Sequence, residues 1–102
     1  MKSLSVQDLY KHFPLPAGAL ILDVRTPEEY ASGHVEGARL APLDALASFA
    51  ALLEKESSLY VICRSGGRSQ AACGLLDHLG FKDVTNIEGG ILAWSAAGYA
   101  LI

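Results

Sequence analysis

Two short apolar segments restrict the fold of this chain more than any other feature. They read ALILDV at positions 19–24 and SLYVIC at positions 58–63, and each has the length of one strand. Strands of such continuous apolar character are typical of a parallel sheet that helices cover on both faces. Amphipathic segments alternate with these strands along the chain, so the sequence predicts an α/β fold with a parallel sheet.

The remaining elements follow from helix caps, helix breakers and apolar periodicity. Two further strands are predicted at 38–42 and 83–87, and helices at 5–12, 26–33, 43–54, 68–79 and 91–97. Ser5 and Thr26 have the side chains that cap helix N-termini, and Gly33 and Gly80 stop the helices that they follow. The helix at 68–79 has an apolar stripe, which consists of Ala72, Leu75, Leu76 and Leu79.

The composition is that of one globular domain. The chain has 102 residues, of which 51% are hydrophobic and 19% charged, and its net charge is −3 at pH 7. This length suits a single domain over residues 1–102 with one modest core. The slightly acidic balance gives no reason to expect nucleic acid or an acidic membrane as a partner.

The N-terminal segment does not resemble a signal peptide. It reads MKSLSVQDLYKHF, with polar residues where the apolar region of a signal peptide lies, and the apolar stretch at 15–22 is too short to span a bilayer. With two cysteines and no export signal, we expect a cytoplasmic protein with reduced thiols. A domain cut from a longer protein would lack such a signal equally, and the sequence leaves this open.

The segment CRSGGRS at 63–69 follows the second apolar strand directly. In parallel α/β sheets, ligands bind just beyond the carboxyl ends of the strands. Cys63 lies at one such end, and Asp23 and Arg25 lie at the end of the other apolar strand. A lone cysteine at a strand end is more often a buried, inert residue, but the neighbours of Cys63 favour a functional loop.

Those neighbours favour a thiolate. A thiol reacts as its thiolate, and nearby arginines, backbone amides and a helix N-terminus all lower the cysteine pKa. Arg64 and Arg68 flank the loop, and a helix is predicted to begin beside it. Gly66 and Gly67 have no Cβ atom to stop successive N–H groups from turning inward as an anion-binding nest. The sequence therefore predicts an anion site around Cys63.

Four segments together resemble a rhodanese, or sulfurtransferase, domain. They are the loop itself, ILDVRTPEEYASGHVEGA at 21–38, GF at 80–81 and NIEGGILAW at 86–94. The resemblance covers nearly the whole chain, with the motifs in the order of the family. It implies a three-layer α/β/α domain with a mainly parallel five-stranded sheet. The chain departs from the family pattern at Glu36, a position at which rhodanese domains often have proline.

The resemblance also implies a reaction. Thiolate Cys63 would attack the outer sulfur of thiosulfate or a related donor, sulfite would leave, and a thiophilic acceptor would take the sulfur from the Cys63 persulfide. We expect no metal and no cofactor, a small anionic sulfur donor, and a possible protein donor or acceptor. The predicted substrate-binding residues are Arg64, Ser65, Gly66, Gly67, Arg68 and Arg25. For Arg25 a structural salt bridge is an equal alternative.

The length of the loop separates this prediction from related chemistry. Four residues lie between Cys63 and Arg68, as in sulfurtransferases, whereas phosphatases and arsenate reductases on this fold resemble C-x5-R. Ser69 occupies the position where that longer pattern needs arginine. A persulfide carrier or sensing module, acting with a partner protein, stays open because it also needs Cys63. An inactive interaction domain is disfavoured by the intact loop.

The other polar residues have mainly structural interpretations. Asp23 is predicted to fix neighbouring loops, Glu28 and Glu29 to be first-turn helix charges, and His34 to serve structure. Glu88 precedes a tight glycine turn and either orients the loop or belongs to turn chemistry alone.

Two further interpretations concern the core. Ile91, Leu92 and Trp94 are predicted to pack in it. Cys73 is predicted to be a small buried hydrophobe, with a resolving thiol for Cys63 as the alternative.

Overall fold

One five-stranded sheet organises the molecule. The structure, a computed structural model, describes residues 1–102. Its strands are β1 (Lys2–Leu4), β2 (Ala19–Asp23), β3 (Arg39–Leu40), β4 (Ser58–Ile62) and β5 (Asp83–Ile87). They lie in the order β1-β5-β4-β2-β3, and every neighbouring pair is parallel. The predicted α/β class and the five-stranded sheet that the resemblance implied are confirmed, and the sheet is parallel throughout rather than mainly parallel.

Two of the five helices begin at the side-chain caps that the sequence predicts. They are α1 (Val6–Lys11), α2 (Pro27–Ala31), α3 (Leu46–Ala50), α4 (Gly67–His78) and α5 (Gly90–Ala96). The hydroxyl of Ser5 accepts a hydrogen bond from the N–H of Asp8, and Thr26 forms a complete capping box with Glu29. The prediction of one helix over 43–54 is wrong. A 3₁₀ turn at Leu43–Ala45 precedes a short α3, and the backbone of Ala45 leaves the helical region between them with φ −115° and ψ 7°.

The helices cover the sheet in two layers. On one face α3 and α4 pack through Leu46 and Leu76 against strand residues such as Val61. On the other face α1 and α5 pack through Leu9 and Trp94. Successive side chains of a strand point to opposite faces, so a strand covered on both sides needs an apolar residue at almost every position. This accounts for the continuous apolar segments of the sequence.

Strand β1 is the element that sequence reasoning missed. Its three residues pair in register with β5, from Lys2 opposite Thr85 to Leu4 opposite Ile87, at one edge of the sheet. Two of the three are exposed, and an ion pair joins Lys2 to Asp83. Three residues at an exposed edge are too few to show the apolar alternation of a strand. Only the pairing with β5, which the sequence does not reveal, identifies this segment as a strand.

The carboxyl ends of the central strands meet at one edge of the sheet. Asp23 pairs with Ile62 at the ends of β2 and β4, and Asn86 on β5 pairs with Val61. Cys63, the residue after β4, is therefore placed between the ends of β2 and β5. No helix of the structure has both the length and the apolar character needed to cross a membrane.

The two layers predict which leucines stabilise the fold. Leu76 is fully buried against the sheet, whereas 85% of the surface of Leu52 is exposed. We expect Leu76→Ala to lower the free energy of unfolding by about 2–5 kcal/mol, because it leaves a cavity in the core. Leu52→Ala, the matched control, should change it by less than about 0.5 kcal/mol. Denaturant unfolding measures both, and equal effects would contradict the described packing.

Candidate active site

The thiol of Cys63 lies in the loop between β4 and α4. Its residue is 1% exposed. The N–H of Gly66 donates a hydrogen bond to its Sγ at 3.0 Å, and the hydroxyl of Ser69 lies 3.4 Å from the same sulfur. Ser69 belongs to the first turn of α4, so the positive end of that helix is directed at the sulfur. The loop thus surrounds one buried sulfur atom with hydrogen-bond donors.

Glycine is required by conformation at one of the two glycine positions in the loop. Gly66 has φ +110°, in a region that side chains rarely adopt, and its N–H is the one that donates to the sulfur of Cys63. Gly67 has an ordinary φ, and a Cβ atom there would meet no atom within 4 Å. The predicted inward turn of the amides therefore depends on Gly66 and makes no demand for glycine at Gly67.

A second loop holds the first one in place. The N–H groups of Ile91 and Leu92, at the start of α5, donate to the carbonyl oxygens of Cys63 and Arg64 at 2.9 and 3.1 Å. In a trans peptide the N–H points away from the carbonyl. The N–H groups that follow these two carbonyls are consequently directed away from α5, and one of them, the N–H of Ser65, contributes to lowering the pKa of Cys63.

This close approach requires glycine at Gly90. A Cβ atom on Gly90 would lie 2.3 Å from the carbonyl oxygen of Cys63 and 2.6 Å from that of Arg64. Sequence reasoning assigned the glycine pair at 89–90 to a turn and left its contact with the Cys63 loop unseen. Glu88, considered as an orienting residue, is exposed, and its backbone N–H donates to Leu4.

Opposing effects set the ionisation of Cys63. Burial raises the pKa of the thiol, because it removes water from the thiolate. Hydrogen bonds from the side chain and backbone of Ser69 and from the N–H groups of Gly66 and Ser65 lower it, and together they outweigh burial. The pKa of Cys63 consequently lies below the ordinary value of a cysteine. The lowered pKa is what the sequence analysis expects of a loop that favours the thiolate form of Cys63.

Arg68 makes an ion pair that the sequence did not reveal. Its two terminal nitrogens donate to the two carboxylate oxygens of Glu29 at 2.7 and 2.9 Å. The hydrogen bonds from Arg68 and from the N–H of Thr26 lower the pKa of Glu29 to about 2. Glu29 was predicted only as a first-turn charge, and its position 39 residues before Arg68 gave no sign of the pair.

Arg25 makes the structural salt bridge that was one of its two predicted roles. Its Nε and one terminal nitrogen donate to the carboxylate of Asp23 at 2.8–3.1 Å, and that nitrogen also donates to the carbonyl of Gly33 at 2.7 Å. Both residues of the pair are buried. Arg25 and Arg68 line a surface cavity of about 270 Å³, so a contact between Arg25 and substrate stays a prediction.

Arg64 is the one arginine of the loop whose guanidinium is not engaged. Its side chain is exposed and takes part in none of the ion pairs of the structure. Ser65, the next residue, is exposed as well. The mouth of the site therefore presents one free positive charge, at Arg64, beside the paired Arg68.

The second cysteine has the properties of a packing residue. Cys73 on α4 is fully buried in the same apolar cluster as Cys63, and both thiols are free. Burial, with a smaller effect of Asp77, raises the pKa of Cys73 to about 12. A thiol that stays protonated is a poor nucleophile, so this environment favours packing over a resolving role.

Three further residues have structural surroundings. His34 stacks on Tyr30 at 3.7 Å between ring centroids, and its backbone pairs with Ile102. Ile91 and Trp94 are buried as predicted, whereas the prediction of a buried Leu92 is wrong, since 48% of its surface is exposed. Leu92 follows Ile91 at the start of α5, where one side of the helix faces solvent.

We expect Gly90→Ala to damage the site. The added methyl group would push α5 from the carbonyls of Cys63 and Arg64, and the left-handed φ of +57° would be strained. The melting temperature should fall, and the pH midpoint for alkylation of Cys63 should rise. Gly67→Ala is the matched control and should change neither quantity. Two variants that behave alike would argue against this close approach.

The Glu29–Arg68 pair should make stability depend on pH. The folded-state pKa of Glu29, about 2, lies below its ordinary value of 4.5. The stabilisation is therefore present above pH 4.5 and is lost as the pH falls toward 2. With side chains 36% and 28% exposed, it should not exceed about 1 kcal/mol.

The measurement compares Glu29→Gln with the wild type by denaturant unfolding between pH 7 and pH 2. The variant should be less stable at neutral pH, and the two proteins should converge in acid. Glu28→Gln, in the same helical turn but outside any ion pair, serves as control. A difference that persists unchanged at the acid end would show that the charge of Glu29 is not its source.

Comparison with known proteins agrees with this geometry. Residues 5–97 match the family described as "Rhodanese-like domain". Thiosulfate sulfurtransferase GlpE of Pseudomonas putida is 35% identical, over 78% of this chain and 72% of that protein. Protein HIGH ARSENIC CONTENT 1, mitochondrial, of Arabidopsis thaliana is 39% identical, over 84% of this chain and 58% of that protein.

A solved structure gives the same result for the fold. The crystal structure of a rhodanese-related protein from Thermoplasma volcanium superposes with a TM-score of 0.88 at 33% identity, covering 100% of this chain and 98% of that chain. The match extends over the strands, both helical layers and the Cys63 loop. The chain belongs to the family of rhodanese-like domains.

Proposed function

We propose that this chain is a sulfurtransferase that moves a sulfane sulfur from thiosulfate or a related donor to a thiophilic acceptor. One observation carries the proposal: the Cys63 thiol is buried among N–H and hydroxyl donors that lower its pKa. A thiolate so placed is a nucleophile, and the same donors suit an anionic sulfur bound to it. The name of the Pseudomonas putida relative supports the same reaction class.

The reaction has two covalent steps. The Cys63 thiolate attacks the outer sulfur of thiosulfate, a sulfur–sulfur bond forms, and the bond to the sulfonate sulfur breaks with its electron pair on departing sulfite. The acceptor, such as cyanide or a thiolate, then attacks the outer sulfur of the persulfide and releases the Cys63 thiolate. No external oxidant or reductant is needed, and the kinetics should be ping-pong.

The charges around the loop suit an anionic donor. Exposed Arg64 has no carboxylate partner, and a guanidinium binds oxyanions through parallel N–H donors. The persulfide anion would be held by the N–H groups of residues 64–68, of which that of Gly66 already bonds the sulfur of Cys63. In this assignment Arg64 recruits the donor, and Arg68 keeps the loop in position through Glu29.

A persulfide carrier that depends on a partner protein is the alternative, since it needs the same loop. Arsenate or phosphate chemistry is a more distant one. The name of the Arabidopsis relative refers to arsenic, but the four-residue spacing between Cys63 and Arg68 is that of sulfurtransferases.

The decisive experiment follows thiocyanate production from thiosulfate and cyanide. Cys63→Ser should reduce the rate to that of the uncatalysed reaction, because the serine hydroxyl is not ionised at neutral pH. Cys73→Ser, which keeps Cys63, should retain most of the activity. The rate should increase with pH at lower values than for an ordinary cysteine, as the pKa of Cys63 is lowered.

The outcomes separate the alternatives. Equal rates for wild type and Cys63→Ser would remove Cys63 from the mechanism. A wild type that is inactive with thiosulfate but gains one sulfur atom by mass from a persulfidated donor protein would identify the carrier. Reduction of arsenate by a thiol, absent in Cys63→Ser, would establish the arsenate alternative instead.

A further inference from the structure

The hydroxyl of Ser69 has more hydrogen-bonding neighbours than it has protons. Its Oγ lies 2.5 Å from the amide oxygen of Asn86, 3.0 Å from the carbonyl oxygen of Gly66 and 3.4 Å from the sulfur of Cys63. A hydroxyl donates one hydrogen bond and accepts up to two. The direction of its single proton therefore decides whether Ser69 can donate to Cys63.

Two of the three neighbours compete for this proton. The carbonyl of Gly66 already accepts a hydrogen bond from the N–H of Gln70 within α4, so it does not need the hydroxyl. Asn86 lies on β5, 7% exposed, and alternation along the strand places it on the same face as Val84, which packs in the cluster with α4. The choice is between the Asn86 amide and the Cys63 sulfur.

In the thiol state all three groups can be satisfied. The S–H of Cys63 donates to Ser69, and the hydroxyl of Ser69 donates to the amide oxygen of Asn86. Once Cys63 is a thiolate, its sulfur can only accept. To donate to the thiolate, Ser69 has to turn its proton to the sulfur, which leaves the oxygen of Ser69 facing the amide oxygen of Asn86 at 2.5 Å with no proton between them.

We propose that Asn86 is a positioning residue that relieves this conflict: rotation of its amide presents the NH₂ group to Ser69, so that Ser69 donates to the Cys63 thiolate. The amide oxygen makes the only hydrogen bond of this side chain, to Ser69. Rotation therefore breaks no other hydrogen bond, and it exchanges two groups of nearly equal size. The thiol proton passes to solvent, and no redox change is involved.

The inference deepens the proposed function, because it rests on Cys63 as the nucleophile. We call this chain of hydrogen bonds, from the Asn86 amide through the Ser69 hydroxyl to the Cys63 thiolate, the relay. It would act each time the acceptor removes the sulfur atom and Cys63 becomes a thiolate again. Other ionisable groups around the loop are Arg64, Arg68, Cys73 on α4 and the Asp23–Arg25 pair beyond β2. The variants below leave all of these unchanged, which confines the comparison to Asn86 and Ser69.

The test measures the Cys63 pKa from the ultraviolet absorbance of the thiolate, with the titration of Cys63→Ser subtracted and no sulfur donor present. Asn86→Asp keeps the size of the side chain, but the carboxylate only accepts and holds the Ser69 proton. We expect the pKa of Cys63 to rise by about 1–2 units, which corresponds to one lost hydrogen bond to a charged group. Asn86→Leu removes the competing acceptor and should raise it less.

A double-variant cycle separates the relay from simple charge repulsion. Repulsion between the new carboxylate and the thiolate acts through space and would persist in a Ser69→Ala background, whereas the relay passes through the hydroxyl. The shift caused by Asn86→Asp should therefore fall to less than half when Ser69 is alanine. An undiminished shift, or none in the wild-type background, would overturn the relay.

Ser69→Ala alone gives a result that does not depend on the folding of any Asn86 variant. It should raise the Cys63 pKa, and an unchanged pKa would also overturn the relay. Because these titrations need no sulfur transfer, they distinguish failure of the relay from failure of the proposed function. A wild type without activity in the thiocyanate assay would leave the pKa comparisons fully measurable.

Discussion

The hydrogen bonds that join α5 to the carbonyls of Cys63 and Arg64 are the constraint on which the site depends. They fix two successive peptide planes, and fixed planes determine where the N–H groups on the opposite side point. Without them the loop would keep its donors but lose their common direction. Gly90 makes the contact possible, since any larger residue would overlap both carbonyl oxygens. A glycine far along the chain thus controls the electrostatics of a cysteine.

The lowered pKa of Cys63 is the outcome of two large opposing effects. Burial excludes water, which stabilises the neutral thiol, but it also strengthens each hydrogen bond to the sulfur, because the surroundings screen charge poorly. The same seclusion that discourages ionisation therefore makes the bonds from Ser69 and Gly66 more effective. Cys73 is equally buried and lacks such donors, and its pKa is raised to about 12. Both cysteines are buried in the same apolar cluster, so the difference between their pKa values comes mainly from the hydrogen-bond donors of the Cys63 loop.

A structural feature could be predicted from the sequence when the residues that determine it are close together along the chain. Features formed by residues close together in sequence could be predicted from local periodicity or spacing. These are the strands β2 and β4, the caps at Ser5 and Thr26, and the Cys63 loop. Strand β1 exists through its pairing with β5 and shows no pattern of its own. Where helix 43–54 was expected, the non-helical backbone of Ala45 separates a 3₁₀ turn from a short α3, and helix propensity alone gave no warning of it.

The parts of the site that sequence reasoning missed share one cause. Glu29 and Arg68, Gly90 and Cys63, and the Asn86–Ser69 contact each join residues that are distant along the chain. Each becomes a contact only because a parallel sheet brings the carboxyl ends of its strands, and the loops after them, to one edge. The fold class therefore predicts that the site lies at the carboxyl edge of the sheet, but it does not predict which residues contact one another there.

Pairing of Arg68 with Glu29 changes the electrostatic description of the loop. The sequence shows two arginines beside Cys63 and suggests two free positive charges, yet the carboxylate of Glu29 neutralises the charge of Arg68 and fixes its position. The remaining free charge lies on Arg64, which is exposed at the surface, where in the proposed function it would attract an anionic donor without holding the sulfur tightly. In the proposed reaction, a persulfide must be stable enough to form and reactive enough to be discharged. N–H donors around the sulfur, with the single exposed guanidinium of Arg64 outside, would meet both requirements better than two cations fixed against the sulfur.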